Sequence, residues 1–293
     1  MYTQFFGNFL LSKGAITAED LVNALHKQST TYLKLGTLAI HAGLLTSAEV
    51  DAIVIMQTHQ DKRFGELAIE GGYLTSEQVD QLLSSQKPDY LLLGQILIED
   101  GLLTNAQFED LLQEYQSSNE IYDLDTTHEQ KDMVEKLINK FCDFESTTIS
   151  EKAISYLSLL FNDIVRFIGK DFTPLNPVLK SEYMTNYCVT QEINGPLTID
   201  SGIDMSKTTA LGFASRYAKE EFTEFDEYVK ASIEDFLNLH NGLFNVNMSN
   251  EFSLELNLCP PMIHEETTLK HDSKTYVFPV IFPFGTVNFL LVF

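Results

Sequence analysis

Asp235 and Asn238 lie three residues apart in the stretch EYVKASIEDFLNLHNG. A carboxylate only accepts hydrogen bonds, whereas an uncharged amide donates and accepts. Side by side they can hold and orient a small polar group. The surrounding pattern predicts a helix from about Glu224 to Asn241. At about 100° per residue, Val229, Ile233, Phe236 and His240 fall on one side, and Ala231, Asp235, Asn238 and Gly242 on the other. Asp235 and Asn238 therefore project together, away from the core. The plain alternative is a solvated helix face.

The elements ahead of this helix follow a different rule. Glycines at 7, 36, 65 and 94 share a 29-residue spacing, as do Gly14, Gly43, Gly72 and Gly101, and Thr17, Thr46, Thr75 and Thr104. A period of this size marks a repeat array, which reads as a binding surface before it reads as an enzyme. One unit, Arg63 to Gln86, is RFGELAIEGGYLTSEQVDQLLSSQ. A short helix starts near Gly65, and Gly72 supplies the left-handed position that ends it. Thr75 caps the next helix with Gln78 three residues on; the other copies give Thr17 with Asp20, Thr46 with Glu49 and Thr104 with Gln107. Val79, Leu82 and Leu83 form an apolar face, matched by Leu21/Ala24/Leu25, Val50/Ile53/Val54 and Phe108/Leu111/Leu112.

The repeated pattern, a basic residue, leucine or phenylalanine, then glycine, with a second glycine and a threonine cap, resembles the MshE-type N-terminal domains of type II secretion and type IV pilus ATPases. The resemblance covers roughly residues 5–116. It implies helical repeats and, in ligand-binding members, a cyclic di-GMP site. The family arginine before the first glycine corresponds to Phe5, Lys34, Arg63 and Leu92, so only the middle copies carry a cation. Arginine's planar fork matches phosphate, and lysine keeps only the charge. The resemblance thus offers one degenerate cyclic di-GMP site at Lys34-Leu35-Gly36 and Arg63-Phe64-Gly65. The alternative, which the acidity of the array favours, is a protein-docking module.

Composition bounds the remainder. The chain has 293 residues, enough for two domains, with 44% apolar and 21% charged residues. Its net charge of −23 repels phosphate backbones and anionic lipids, arguing against nucleic-acid or membrane-surface binding. No apolar run approaches the roughly 18–20 residues of a membrane span. The apolar start MYTQFFGNFLLSKG has no basic n-region and reads as fold rather than signal peptide. Cys142, Cys188 and Cys259 are scattered without metal-like spacing, so the expectation is reduced thiols, a cytoplasmic location and no metal site.

Residues 117–129, SSNEIYDLDTTHE, are polar and aperiodic, and 130–143 have an amphipathic helical pattern. The expected layout is therefore a repeat array over 1–117, a linker with a helix over 118–148, and a second domain over 149–293. In the last, Ile154, Leu157, Phe161, Ile164 and Ile168 make a helical stripe stopped by Gly169. Alternation around Tyr183–Val189, Leu197–Ile199 and Phe252–Leu258 predicts strands, and Ser249-Asn250 suggests a hairpin joining Leu243–Met248 to the last of these. Tyr276–Phe282 and Val287–Phe293 form another pair around Pro283-Phe284-Gly285. Two long helices on about six antiparallel strands make an α+β domain.

The stretch EFTEFDEYVKASIEDFLNLHNGLFNVNMSNEFSLELNLCPP, with the preceding helix, the Gly-Pro-Leu-Thr-Ile strand and the closing hairpin, resembles the CheX-like and CheC-like chemotaxis phosphatase domain. The family motif D-x3-E-x2-N-x22-P falls on Ala231, Asp235, Asn238 and Pro261. The resemblance implies a response-regulator receiver domain as partner, a homodimer through sheet edges, and no cofactor beyond the Mg the partner supplies. It makes Asn238 the residue that orients the water attacking an aspartyl-phosphate, and Asp235 the one that engages the regulator's lysine. Acyl phosphate is already activated, so placing water in line supplies most of the help. Aspartate for glutamate shortens one arm, Ala231 removes a carboxylate, and Glu234 is expected to point about 100° away. The readings are a phosphatase with Asp235 and Asn238 in the site, or a non-catalytic scaffold whose array docks a partner or senses cyclic di-GMP.

Overall fold

The computed structural model describes residues 3–28, 31–60, 62–84, 89–117, 134–136, 139 and 147–293. The chain forms two compact units, Met1–Leu124 and Asp125–Phe293. The expected linker and helix between 118 and 148 fall almost wholly outside the described residues, as does Cys142. Among the described residues no helix is long and apolar enough to cross a membrane.

The first unit holds helices α1 (Thr3–Ser12), α2 (Ala18–Gln28), α3 (Leu35–His41), α4 (Ser47–His59), α5 (Phe64–Glu70), α6 (Ser76–Ser84), α7 (Asp89–Glu99) and α8 (Asn105–Ser117). Gly14, Gly43, Gly72 and Gly101 have φ of 66°, 65°, 72° and 73°, a left-handed region costly for residues with a Cβ. Thr46 and Glu49 cap each other's backbone N–H groups at 2.7 and 3.3 Å, and the same exchange links Thr75 with Gln78 at 2.8 and 3.2 Å.

The helices do not stack in chain order. α1 and α2 pack mainly on α7, while α3 and α4 pack on α7 and α8 and also on α5 and α6. Spatially the first helix pair is joined to the fourth, the fourth to the second, and the second to the third. Aromatic packing explains the jump. Phe6 sits 5.0 Å from Tyr115, 5.7 Å from Tyr90 and 6.4 Å from Phe108 between ring centroids. Gly94 permits it, since a Cβ there would lie 2.0 Å from Phe108. The apolar faces of α2 and α8 are consequently well covered, whereas Val54 on α4 and Leu83 on α6 remain 46% and 56% exposed.

The second unit contains α9 (Thr147–Asp163), which runs into a π-helical turn (Ile164–Ile168), then α10 (Lys207–Ala218) and α11 (Glu227–Phe252). Its strands are β1 (Thr173–Pro174), β2 (Val178–Met184), β3 (Tyr187–Asn194), β4 (Ile199–Met205), β5 (Asn257–Leu258), β6 (Met262–Glu265), β7 (Thr268–Phe282) and β8 (Gly285–Val292). They form one antiparallel sheet in the order β1-β7-β8-β4-β3-β5, with β2 also on β7 and β6 also on β3. This is an α+β unit. Side chains alternate across it: Tyr187, Val189, Gln191 and Ile193 of β3 share a face with Met205, Ile203, Ser201 and Ile199 of β4 through the β3–β4 register. α11 packs over β3 and β4, and α10 over β8.

Two elements depart from expectation. Residues 243–252 continue α11 and form no hairpin, and only Asn257–Leu258 of the alternating run is strand. The segment Leu243–Met248 suits a two-residue and a 3.6-residue period equally. Burial decides, because Phe244 and Met248 prolong the stripe of Val229, Ile233, Phe236 and His240. The second departure is α10, unforeseen although Ser206 caps it by accepting from Thr209 N–H at 3.1 Å and Ala210, Phe213 and Ala214 are buried.

Under α11 lies a buried polar pair. His240 Nδ1 is 2.7 Å from Asp163 Oδ2, and the ring meets Tyr156 edge-on at 4.5 Å. Burial holds the His240 imidazole below its ordinary value, against the opposing pull of Asp163. The unfolded chain therefore takes up a proton below about pH 6.5 that the folded chain resists. Stability from this group is present above that pH and is lost as pH falls below it, at up to about 1.4 kcal/mol per pH unit. In denaturant titrations at pH 7.5 and 5.5, His240→Gln is expected to show a smaller loss between the two than the wild type.

Candidate functional site

α11 begins at Asp226, whose carboxylate accepts from Tyr228 and Val229 N–H at 3.0 and 3.1 Å. Its buried stripe anchors it on the sheet, so the opposite face is solvent-exposed. Asp235 and Asn238 are both exposed on that face. They line one cleft of about 660 Å³ together with Pro261, which comes from the segment leading into β6. The motif positions 231, 235, 238 and 261 thus meet in one place. Glu234, expected to point elsewhere, also lines this cleft, as does Glu220. Among the described residues, three carboxylates and no lysine or arginine form its walls.

Two residues outside the motif hold its side chains. Tyr217, on α10, donates from its hydroxyl to Asp235 Oδ2 at 2.6 Å. Burial and then the Asp235 carboxylate push the phenol pKa up, so Tyr217 remains a donor. Its neighbour Arg216 forks onto Asp171 at 2.5 and 2.7 Å, fixing the end of α10. Gln191, on β3, donates from Nε2 to Asn238 Oδ1 at 2.8 Å and to the Cys259 carbonyl at 2.9 Å. The Cys259 N–H donates to the Glu192 carbonyl at 2.9 Å, so the segment before Pro261 is bound to β3 beside Asn238. Gln191 had a legible signal, a polar residue at an inward position of an otherwise apolar strand face. Tyr217 had none, because it needs α10.

The segments Lys34-Leu35-Gly36 and Arg63-Phe64-Gly65 pack against each other, since a Cβ at Gly36 would lie 3.3 Å from Phe64, but only the first brings its cation to a cavity wall. Lys34 and Gly36 line a cavity of about 490 Å³ with Phe64 and Gln95, among others. Arg63 and Gly65 are not among the residues that line it. Lys34 Nζ pairs with Glu99 at 2.7 Å, and Gln95 Nε2 donates to the same carboxylate at 3.0 Å. Gly36 and Gly65 have a packing reason to be small. A Cβ at Gly36 would lie 3.0 Å from Val50, and one at Gly65 would lie 3.2 Å from Leu35.

No family model matches the chain, and no curated protein matches it. Solved structures of CheX and CheC-like chemotaxis proteins do, over about half of the chain. CheX from Desulfovibrio desulfuricans is 13% identical, with 48% of this chain and 98% of that chain covered and a TM-score of 0.42. A CheC-like superfamily protein from Shewanella sp. PV-4 is 18% identical, covering 48% and 95%, with a TM-score of 0.43. The CheX–CheY–BeF3–Mg complex from Borrelia burgdorferi matches at 19% identity, covering 47% and 94%, with a TM-score of 0.41.

Proposed function

We propose that the second unit docks the phosphorylated receiver domain of a response regulator and hydrolyses its aspartyl-phosphate. The observation that carries this reading is the convergence of Asp235, Asn238 and Pro261 on one exposed cleft of the α11 face. Asn238 holds the attacking water without adding charge. The water's oxygen bonds to phosphorus, the phosphorus–oxygen bond to the receiver's aspartate breaks, the carboxylate leaves, and the water's two protons depart with inorganic phosphate. The receiver supplies the Mg and the lysine. The acidic cleft fits that division, since it repels a bare phosphoryl group but attracts a partner's cation. Tyr217 presents Asp235 toward that lysine.

The test is the decay of aspartyl-phosphate on a panel of receiver domains phosphorylated with acetyl phosphate. Acceleration of at least one, lost in Asn238→Ala, supports the reading. Decay unchanged by the protein across the panel refutes hydrolysis, and binding without turnover points instead to the scaffold.

For the first unit we propose a protein-docking module. Val54 and Leu83, exposed on the middle repeats, give a partner apolar surface, and Glu99 already occupies Lys34, one of the two cations that a nucleotide phosphate would need. Calorimetry with cyclic di-GMP at high micromolar concentration is accordingly expected to show no binding heat. A saturable heat that is abolished in Lys34→Ala would restore the nucleotide site.

A further inference from the structure

Gln191 is 2% exposed, and its amide sits between three groups whose hydrogen-bonding sense can be worked out. The Cys259 backbone carbonyl only accepts, so the Gln191 atom 2.9 Å from it is the nitrogen. That nitrogen also faces Asn238, at 2.8 Å. Two amide nitrogens cannot bond each other, so Asn238 must turn its oxygen inward. The other end of Gln191 agrees. Ser201 donates its hydroxyl hydrogen to the Gln191 backbone carbonyl at 3.0 Å, so toward Asn241 it accepts. The Asn241 atom 2.8 Å from Ser201 is therefore nitrogen, and the same nitrogen donates to Gln191 Oε1 at 2.8 Å. Tyr156, whose phenol pKa burial pushes up, donates to Asn241 Oδ1 at 2.9 Å. Donors and acceptors thus run in one direction, from Tyr156 through Asn241 and Gln191 to Asn238.

We infer that Gln191 is a positioning residue that fixes the sense of the Asn238 amide, so that the cleft receives the NH2 donor and not the carbonyl. The sense of the amide follows from these contacts alone, and its catalytic consequence rests on the phosphatase reading. A water bonded to this NH2 accepts through one lone pair and keeps the other for phosphorus. Its protons then point to acceptors, the phosphoryl oxygens or the Asp235 carboxylate. With the carbonyl outward, Asn238 would instead engage a water proton and face anionic phosphoryl oxygens with its own partial negative charge. Gln191 also couples Asn238 to the Cys259–Pro261 wall, so the two sides of the cleft are set by one side chain.

The test has two arms, both on the full chain. Side-chain amide exchange is read by NMR in the wild type, with the Asn238 signals assigned by their loss in Asn238→Ala. Both Gln191 protons should exchange slowly and both Asn238 protons quickly. A protected Asn238 NH2 with a free Gln191 NH2 overturns the inference. In the second arm, Gln191→Glu and Gln191→Leu should lower kcat for receiver dephosphorylation by about 10–100-fold, the scale of sub-ångström misplacement of a reacting group. KM for the receiver should stay within about threefold, a split that general loss of packing would not produce. Wild-type kcat in a folded Gln191→Leu protein overturns the positioning role. Absence of hydrolysis in the wild type removes the phosphatase reading, while the exchange pattern still decides the sense of the amide.

Discussion

Replacing Asn238 by alanine is expected to slow receiver dephosphorylation by about 10²–10³-fold, the loss usual when one preorganised polar group at a reacting centre is deleted. The loss should fall on kcat, because alanine leaves the exposed docking face otherwise unchanged. Asn238→Asp separates charge from shape. It can still accept from Gln191, but it offers the cleft a carboxylate in place of an NH2, next to Glu220, Glu234 and Asp235. Both kcat and receiver affinity should therefore fall, and affinity should recover in part at high ionic strength. Asn238→Ala removes the acceptor of the buried Gln191 amide, so chemical denaturation should show a loss of about 1–3 kcal/mol, whereas Asn238→Asp keeps that acceptor and should lose less. A variant that is fully active, or one that loses activity only by unfolding, would contradict the assignment.

The second large effect is structural. Phe236 is fully buried, perpendicular to Phe213 at 5.1 Å and to Tyr217 at 5.8 Å. These rings join α11 to α10. Phe236→Ala should cost about 3–5 kcal/mol, combining lost burial with the cavity left behind. It should also weaken dephosphorylation in the surviving folded fraction, since Tyr217 loses the ring that seats it against Asp235. Tyr217→Phe provides the contrast. It keeps the aromatic contact and removes only the 2.6 Å hydrogen bond, so stability should change little while Asp235 loses its orientation. Chemical denaturation and the phosphatase assay on the two variants test the coupling. Equal stability of Phe236→Ala and wild type would show that α10 is held otherwise.

The acidic cleft has a consequence for specificity. With Glu220, Glu234 and Asp235 along its walls, the proposed site is expected to prefer a phosphoryl group that arrives with its own cations over a free phosphate ester. On the proposed reading, selectivity would come partly from repulsion, which a partner bringing its own cations would overcome.

Periodicity named α11 and placed Asp235 and Asn238 on its outer face, because one helix has one geometry and eight buried positions mark its inner side. The same reasoning stopped α11 too early. Leu243–Met248 is ambiguous in period, and contact of Phe244 and Met248 with the core settles it as helix. In the first unit, the 29-residue spacing showed where caps and turns fall, since these are local. It did not show that the first helix pair packs on the fourth, because Phe6, Tyr90, Phe108 and Tyr115 meet across most of that unit's length.

By itself the sequence determined the repeat register, the acidic character and the shared face of Asp235 and Asn238, all properties of composition or of a single helix. Only the tertiary structure decided what holds those two side chains. Tyr217 reaches Asp235 from 18 residues away and Gln191 reaches Asn238 from 47. Hydrogen bonds between separate elements leave no spacing in the chain. They exist only once a strand and two helices are packed against one another.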